Sequence, residues 1–247
     1  MNAPADSYPL RFDVDYPDRP LNRLTTFFRL FTVIPIAIVL AFIDSSMMYS
    51  LGYFGYLEYL FEWFPNNLFN WVSDVFFNWV SFFGWVQNAE GEWEWNYGFG
   101  LLFIPILLML LFRRKYPRWW FDFNLEFLRF ATRVWTYASL LRDEYPSTDE
   151  EQAVHLDIDY PDVQQDLNRW LPLIKWFLAI PHYIILIPLS IVALLCIIVA
   201  WFAILFTGRY PRDLFNLVVG VDRWWLRVDA YAFILVTDQY PPFRLSE

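Results

Sequence analysis

Phe12-Asp13-Val14-Asp15-Tyr16-Pro17-Asp18 returns later in the chain as Leu156-Asp157-Ile158-Asp159-Tyr160-Pro161-Asp162. The correspondence continues on both sides. Leu21-Asn22-Arg23 returns as Leu167-Asn168-Arg169, and Ile34-Pro35 as Ile180-Pro181. Lys115-Tyr116-Pro117-Arg118 returns as Arg209-Tyr210-Pro211-Arg212. Arg129, Arg133 and Tyr137 return as Arg223, Arg227 and Tyr231, and Asp143-Glu144-Tyr145-Pro146 as Asp238-Gln239-Tyr240-Pro241. Each copy brackets a long apolar stretch with polar segments marked by Tyr-Pro, the pattern of a duplicated membrane unit. The copies occupy residues 8–147 and 154–243.

The composition agrees. Hydrophobic residues make up 57% of the chain and aromatic residues 22%, above the soluble average of roughly 45–50% apolar. Residues 30–43, 97–112 and 176–206 contain no charged side chain. A bilayer crossing takes about 20 apolar residues. The first two runs reach that length with aromatic and snorkelling basic flanks. The stretch from Trp170 to Phe206 would extend about 55 Å as one helix. It is expected to form two helices with a turn near Pro188-Leu189-Ser190, giving each copy two spans.

All 18 Lys and Arg fall within residues 11–29, 113–175 and 209–244. Residues 44–98 have none, but carry Asp44, Glu58, Glu62, Asp74, Glu90, Glu92 and Glu94. Cations flanking spans stay cytoplasmic. Both termini and the middle segment are therefore expected inside, and residues 44–98 in the periplasm. An even number of spans per copy gives the two copies one orientation, related by an axis along the membrane normal. The acidic start of the chain offers no basic region for a cleavable leader. The single Cys196 excludes a disulfide framework. A net charge of −9, with no basic aromatic stripe, argues against nucleic acid.

Leu10 to Asp15 alternates apolar and polar residues and reads as a short cytoplasmic strand that Tyr16-Pro17 ends. Leu24 to Ile43 and Tyr97 to Phe112 are the spans of copy one, with kinks expected at Pro35 and at Pro181 of copy two. Trp119 to Trp135 reads as an amphipathic helix on the cytoplasmic face, and Arg223 and Arg227 mark its counterpart. Val228 to Thr237, matched by 134–142, reads as a strand expected to pair with the strand preceding the spans. Pro35 lies 81 residues before Tyr116 and Pro181 only 29 before Tyr210. Copy one thus holds an extracytoplasmic insert, 44–98. Within it Leu68, Trp71, Val72, Val75, Phe76, Trp79, Val80 and Phe83 follow helical spacing.

No phosphate loop, nucleophile elbow, CxxC or HExxH is present, so no catalytic, cofactor-binding or metal-binding residue is expected. Asp13/Asp15 and Asp157/Asp159 each share a strand face. They suit a cation site or, more economically, pairing with the recurring arginines. Arg129/Arg133 and Arg223/Arg227 each share a helical face and suit either those carboxylates or anionic lipid headgroups. His182 sits in an apolar run and reads as a hydrogen-bonded neutral side chain or as a ligand for a pigment or haem. Trp63, Trp71, Trp79, Trp85, Trp93 and Trp95 of the insert suit docking to a partner, since Trp is large and apolar with few rotamers to freeze.

The set Phe-Asp-Val-Asp-Tyr-Pro at residues 12–17, Ile-Pro-His at 180–182, Trp-Phe-Ala-Ile-Leu-Phe-Thr-Gly-Arg-Tyr-Pro-Arg at 201–212 and Thr-Asp-Gln-Tyr-Pro-Pro-Phe at 237–243 resembles a bacterial family of duplicated multi-pass membrane proteins known only as a domain of unknown function. Residues 155–243 follow that pattern closely. Copy one departs from it, with Arg113-Arg114-Lys115 in place of Thr207-Gly208-Arg209. The resemblance implies a bacterial membrane location and no activity.

The sequence therefore predicts a mainly α inner-membrane protein. Four transmembrane helices form two parallel repeats, with cytoplasmic amphipathic helices and short strands. Its expected role is an accessory or scaffold subunit docking membrane partner subunits through the insert. A lipid or apolar-ligand carrier, or a pigment- or haem-associated subunit, are the alternatives. Membrane lipids are expected partners in each case.

Overall fold

A computed structural model describes residues 8–43, 85–87, 93–95, 105–148 and 150–246. The expected helix over residues 68–83 lies outside the described residues. The chain divides into two compact units, residues 1–34 with 106–247, and residues 35–105.

The first unit is mostly helical and is built around a two-stranded ribbon. Strand β1 (Leu10–Val14) pairs antiparallel with β4 (Val154–Ile158), with Phe12 opposite Leu156. The register is balanced about that pair, with Leu10 opposite Ile158 and Val14 opposite Val154. Asp15 N–H to Ala153 O and Asp159 N–H to Pro9 O extend the ladder at its two ends. Alternation explains the placement. Leu10, Phe12, Val14, Leu156 and Ile158 are buried, while Arg11, Asp13, His155 and Asp157 face out.

The apolar face of the ribbon is covered by two long helices. Helix α3 (Arg118–Ala138) packs on β4, and α6 (Arg212–Ala232) packs on β1. Both begin just after Tyr-Pro, with Pro117 and Pro211 in extended conformation at the N-cap. Both bury one side and expose the other, as the amphipathic pattern requires.

Two sequence expectations fail here. Residues 228–232 and 134–138 are helical rather than extended. Val228, Ala230, Tyr231 and Ala232 are all buried in the last turns of α6. Helical packing overrides the β-propensity of this run. The chain then leaves each helix through a left-handed leucine, Leu140 (φ 66°) and Leu235 (φ 59°), both buried. With no strand available after the helices, β1 takes β4 as its partner instead.

The third correction concerns the longest apolar stretch. A 3-10 turn (Leu171–Leu173) and a short helix α4 (Lys175–Leu178) lead into α5 (Ile180–Thr207), which runs unbroken through Pro188. Its 28 residues span about 42 Å. It is long and apolar enough to cross a membrane. Pro181 falls in its first turn, where a missing N–H costs nothing, so it makes no kink. Gly208 ends it at φ 75°, a left-handed position that suits glycine. The expected turn at Pro188-Leu189-Ser190 does not form, because a proline inside a helix removes one hydrogen bond without having to end it. Residues 170–206 thus hold one helix of membrane-crossing length where two were expected.

Helix α5 packs on α6, and near its other end on α1 (Arg23–Phe27). The outward side of α5 is apolar. Ile184, Leu195, Val199, Phe202 and Phe206 are more than half exposed. Helix α2 (Arg29–Ile43) follows α1 and contains Pro35. Residues 105–108 form a helical turn that tightens into a π-helical turn, Met109–Arg113.

In the second unit, β2 (Trp85–Gln87) and β3 (Trp93–Trp95) form an antiparallel ribbon, with Trp85 opposite Trp95 and Gln87 opposite Trp93.

Candidate functional site

The polar residues singled out by the sequence gather around the β1–β4 ribbon. They do so in matched pairs of contacts. Arg129 donates from Nε to Leu156 O (2.9 Å) and from Nη2 to Asp157 Oδ1 (2.8 Å). Arg223 donates from Nε to Phe12 O (2.7 Å) and from Nη2 to Asp13 Oδ1 (3.0 Å). Arg129 of α3 thus holds the later strand β4, and Arg223 of α6 the earlier strand β1. Arg133 donates to Ser147 O, and Arg227 to Arg244 O and Ser246 O, clamping the segments that follow each Tyr-Pro. On the outer face of the ribbon, Arg11 is ion-paired with Asp159 and His155 lies 3.2 Å from Asp15. Protein acceptors thus engage the four arginines expected at lipid headgroups.

The tyrosines of the repeated motifs also cross over. Tyr16 donates its hydroxyl to Tyr210 O, and Tyr160 to Tyr116 O, both at 2.5 Å. Arg212 lies over the Tyr16 ring and Arg118 over the Tyr160 ring.

A second matched pair went unnoticed in the sequence. Arg29 is buried, ion-paired with Asp143 and stacked on Tyr137 at 4.0 Å. Lys175 is fully buried, 2.7 Å from Asp238 and 5.1 Å above the Tyr231 ring. Asp143 and Asp238 also accept from the backbone N–H groups of Asn22 and Asn168. A buried cation needs such a partner, because desolvation outweighs any other gain. The signal was present: Arg29 and Lys175 each stand eight residues after Leu21 and Leu167.

His182 is fully buried. Its Nδ1 accepts from Trp224 Nε1–H at 3.0 Å, and its ring stacks on Phe243 at 4.0 Å and 14°. Tyr240 closes a further side at 4.7 Å. The accepting Nδ1 leaves the proton on Nε2. Four aromatic rings therefore make a compact niche that joins α5, α6 and the C-terminal segment.

Helix α6 holds two acids that have no counterpart in α3. Asp222 and Asp229 stand seven apart on α6, where α3 has Leu128 and Trp135. Burial pushes both carboxyls up to about 7 from an ordinary 3.8, opposed at Asp222 by the hydrogen bond from Trp135 Nε1–H (2.9 Å). Asp222 Oδ2 and the hydroxyl of Tyr210 are buried without hydrogen-bond partners among the described residues.

Of the six tryptophans expected to dock a partner, Trp85, Trp93 and Trp95 lie in the β2–β3 ribbon. Trp63, Trp71 and Trp79 lie outside the described residues. Among the described residues no group of three or more His, Cys, Asp or Glu is placed to hold a metal ion.

Residues 170–244 match a family described as a domain of unknown function, DUF4389. The match covers α4, α5, α6 and the niche around His182. No curated protein and no solved structure matches the chain.

Proposed function

We propose that this protein is an integral inner-membrane subunit of bacteria with a structural role: an accessory or scaffold component that joins membrane partners through the insert at residues 44–98. The observation that carries the reading is α5, whose apolar outer side is exposed along 28 residues while its other side packs on a polar module. Exposed Ile, Leu, Val and Phe in such a run have a natural solvent in lipid.

The reading includes duplication. Its support is the set of matched contacts made by Arg129 and Arg223, by Tyr16 and Tyr160, and by Arg29 and Lys175. It also includes an orientation. In copy one, residues 24–43 and 97–112 carry the insert out and back. In copy two, a full crossing by α5 would draw α6 along with it, because the two pack together. Helix α6 carries Asp213, Asp222, Arg223, Arg227 and Asp229, and each charge at mid-bilayer costs about 2.5–3.5 kcal/mol or more. We therefore place α5 against the hydrocarbon along one side, with β4 and α6 both returned to the cytoplasmic face.

Two experiments test this. Single-cysteine reporters in a Cys196→Ser background give the orientation. A reporter at Glu92→Cys reacts with an impermeant reagent on intact cells, while Arg118→Cys and Arg212→Cys do not; the reverse pattern ends the reading. Gentle extraction from native membranes gives the role. Partner proteins copurify with the full chain and are lost when residues 44–98 are replaced by a short linker. A lone chain in both preparations counts against a scaffold.

A further inference from the structure

The four arginines chosen from the sequence are engaged by the protein, and a different cationic group is left open. Arg113, Arg114 and Lys115 are consecutive, and all three are exposed. Among the described residues, none of their side chains has a hydrogen bond or ion pair. They end the π-helical turn, and Arg114 adopts the left-handed conformation at φ 49°, a strained choice for a residue with a side chain. In copy two the same left-handed position is Gly208, which is buried. A Cβ there would meet Pro20 at 3.5 Å, and the Gly208 carbonyl accepts from Leu21 N–H. The two turns thus share a backbone form, but one is small and covered while the other is basic and open.

The open turn also has an apolar rim. Phe112 is 73% exposed, and Trp119 and Leu108 are exposed on either side of it in sequence. Arg169 donates from Nε to Leu111 O, bringing a fourth cation and the exposed Trp170 to the same turn. The acids of that loop are engaged locally. Asp162 accepts from Gln164 N–H, and Asp166 from Asp162 N–H. Clustered cations beside exposed aromatic and aliphatic side chains are complementary to a molecule that is anionic at one end and apolar at the other.

We propose that the turn formed by Phe112, Arg113, Arg114 and Lys115, with Arg169 and Trp170, is a binding site for the headgroup of an anionic phospholipid. The cations take the phosphodiester and the apolar rim takes the start of the acyl chains. The site rests on the membrane reading above, and it belongs to copy one alone. It binds lipid in place and requires no chemistry.

The test is native mass spectrometry of the full chain in non-ionic detergent with equimolar phosphatidylglycerol and phosphatidylcholine. Phosphatidylglycerol is retained in preference by at least about fivefold, the factor expected from one cationic contact near a lipid surface. The triple variant R113Q/R114Q/K115Q, with exposed side chains that fold does not use, brings retention down to that of phosphatidylcholine. Arg209→Gln, at the matching turn of copy two, leaves the preference intact. Equal retention of the two lipids by the unaltered protein overturns the site without need of any variant. So does a preference that survives the triple variant, or one that millimolar inorganic phosphate abolishes, since a free anion would then fill it. Release of the protein from membranes by alkaline carbonate refutes membrane integration separately.

Discussion

Replacing Arg223 by Ala probes how the polar layer is held together. The side chain is 9% exposed as a residue and donates to Phe12 O, Leu245 O and Asp13 Oδ1 at 2.7, 3.0 and 3.0 Å. These three contacts are unequal. The Asp13 side chain is 54% exposed, so that ion pair contributes about 0–1 kcal/mol. A charged donor to a carbonyl contributes about 1.5–3 kcal/mol, more where the acceptor has no water to fall back on. Phe12 O lies at the centre of the ribbon and cannot replace the bond; Leu245 O, near the chain end, can. The expected loss is about 3 kcal/mol, nearly all from the Phe12 carbonyl. For a chain of this size 1 kcal/mol moves the thermal midpoint by about 2–4 °C. The midpoint in detergent should therefore fall by about 6–12 °C. Asp13→Asn keeps the carbonyl contact and should fall by at most about 4 °C. If Asp13→Asn costs as much as Arg223→Ala, and 1 M salt reproduces both losses, the ion pair holds the layer and the reasoning is wrong.

Three further outcomes follow from single positions. A Cβ at Gly220 would meet Leu245 Cβ at 2.9 Å, so Gly220→Ala should cost about 1–3 kcal/mol by overpacking, and removing residues 243–247 should abolish that cost in a double-mutant cycle. Asp222 and Asp229 carry pKa values of about 7 against an ordinary 3.8; the native state therefore holds protons that the unfolded chain has released, and stability should decline as pH rises from about 4 to about 7, then level off. The double variant Asp222→Asn with Asp229→Asn should flatten that decline in a pH series of unfolding midpoints, and an unchanged slope would mean other groups titrate. Pro188→Ala adds back a helical N–H inside unbroken α5, so it should leave stability equal or higher; a loss above about 1 kcal/mol by thermal unfolding would favour a break in the helix at that point.

The sequence made the amphipathic helices and the first strand legible because each has a strict period: 3.6 over Trp119 to Trp135, and 2 over Leu10 to Asp15. It failed where two signals compete. Val228 to Thr237 is rich in β-branched and aromatic residues, but its first five residues continue the buried stripe of α6, and a long-range surface decides over local preference. It failed again at Pro188, where proline marks a weak point and the flanking apolar packing decides the outcome. The Arg29–Asp143 and Lys175–Asp238 pairs were readable in principle, since both partners recur at fixed offsets. The niche around His182 was not, because Trp224, Tyr240 and Phe243 are brought to it by contacts 42 to 61 residues apart in sequence that no local pattern encodes.

The crossed contacts lead to one more outcome. On the proposed duplication, each copy supplies an arginine and a tyrosine to the other, and a single strand to a two-stranded ribbon. A copy on its own would expose an unpaired strand edge, the liability that proteins avoid by pairing. The register is balanced about Phe12 and Leu156, so a second copy two could stand in for copy one with Leu156 opposite Leu156. Asp157 would then meet Arg223 of its mate as Asp13 does now, and Tyr160 would meet Tyr210. That arrangement is self-complementary and closes with twofold symmetry. A fragment of residues 150–246 should therefore be a dimer in detergent by light scattering. His155→Pro, which removes an N–H from a hydrogen-bonded pair of the ladder, should turn it into a poorly folded monomer. A fragment that stays monomeric with a sharp thermal transition would show that each copy folds alone, and that the crossed contacts follow from the fold without being required by it.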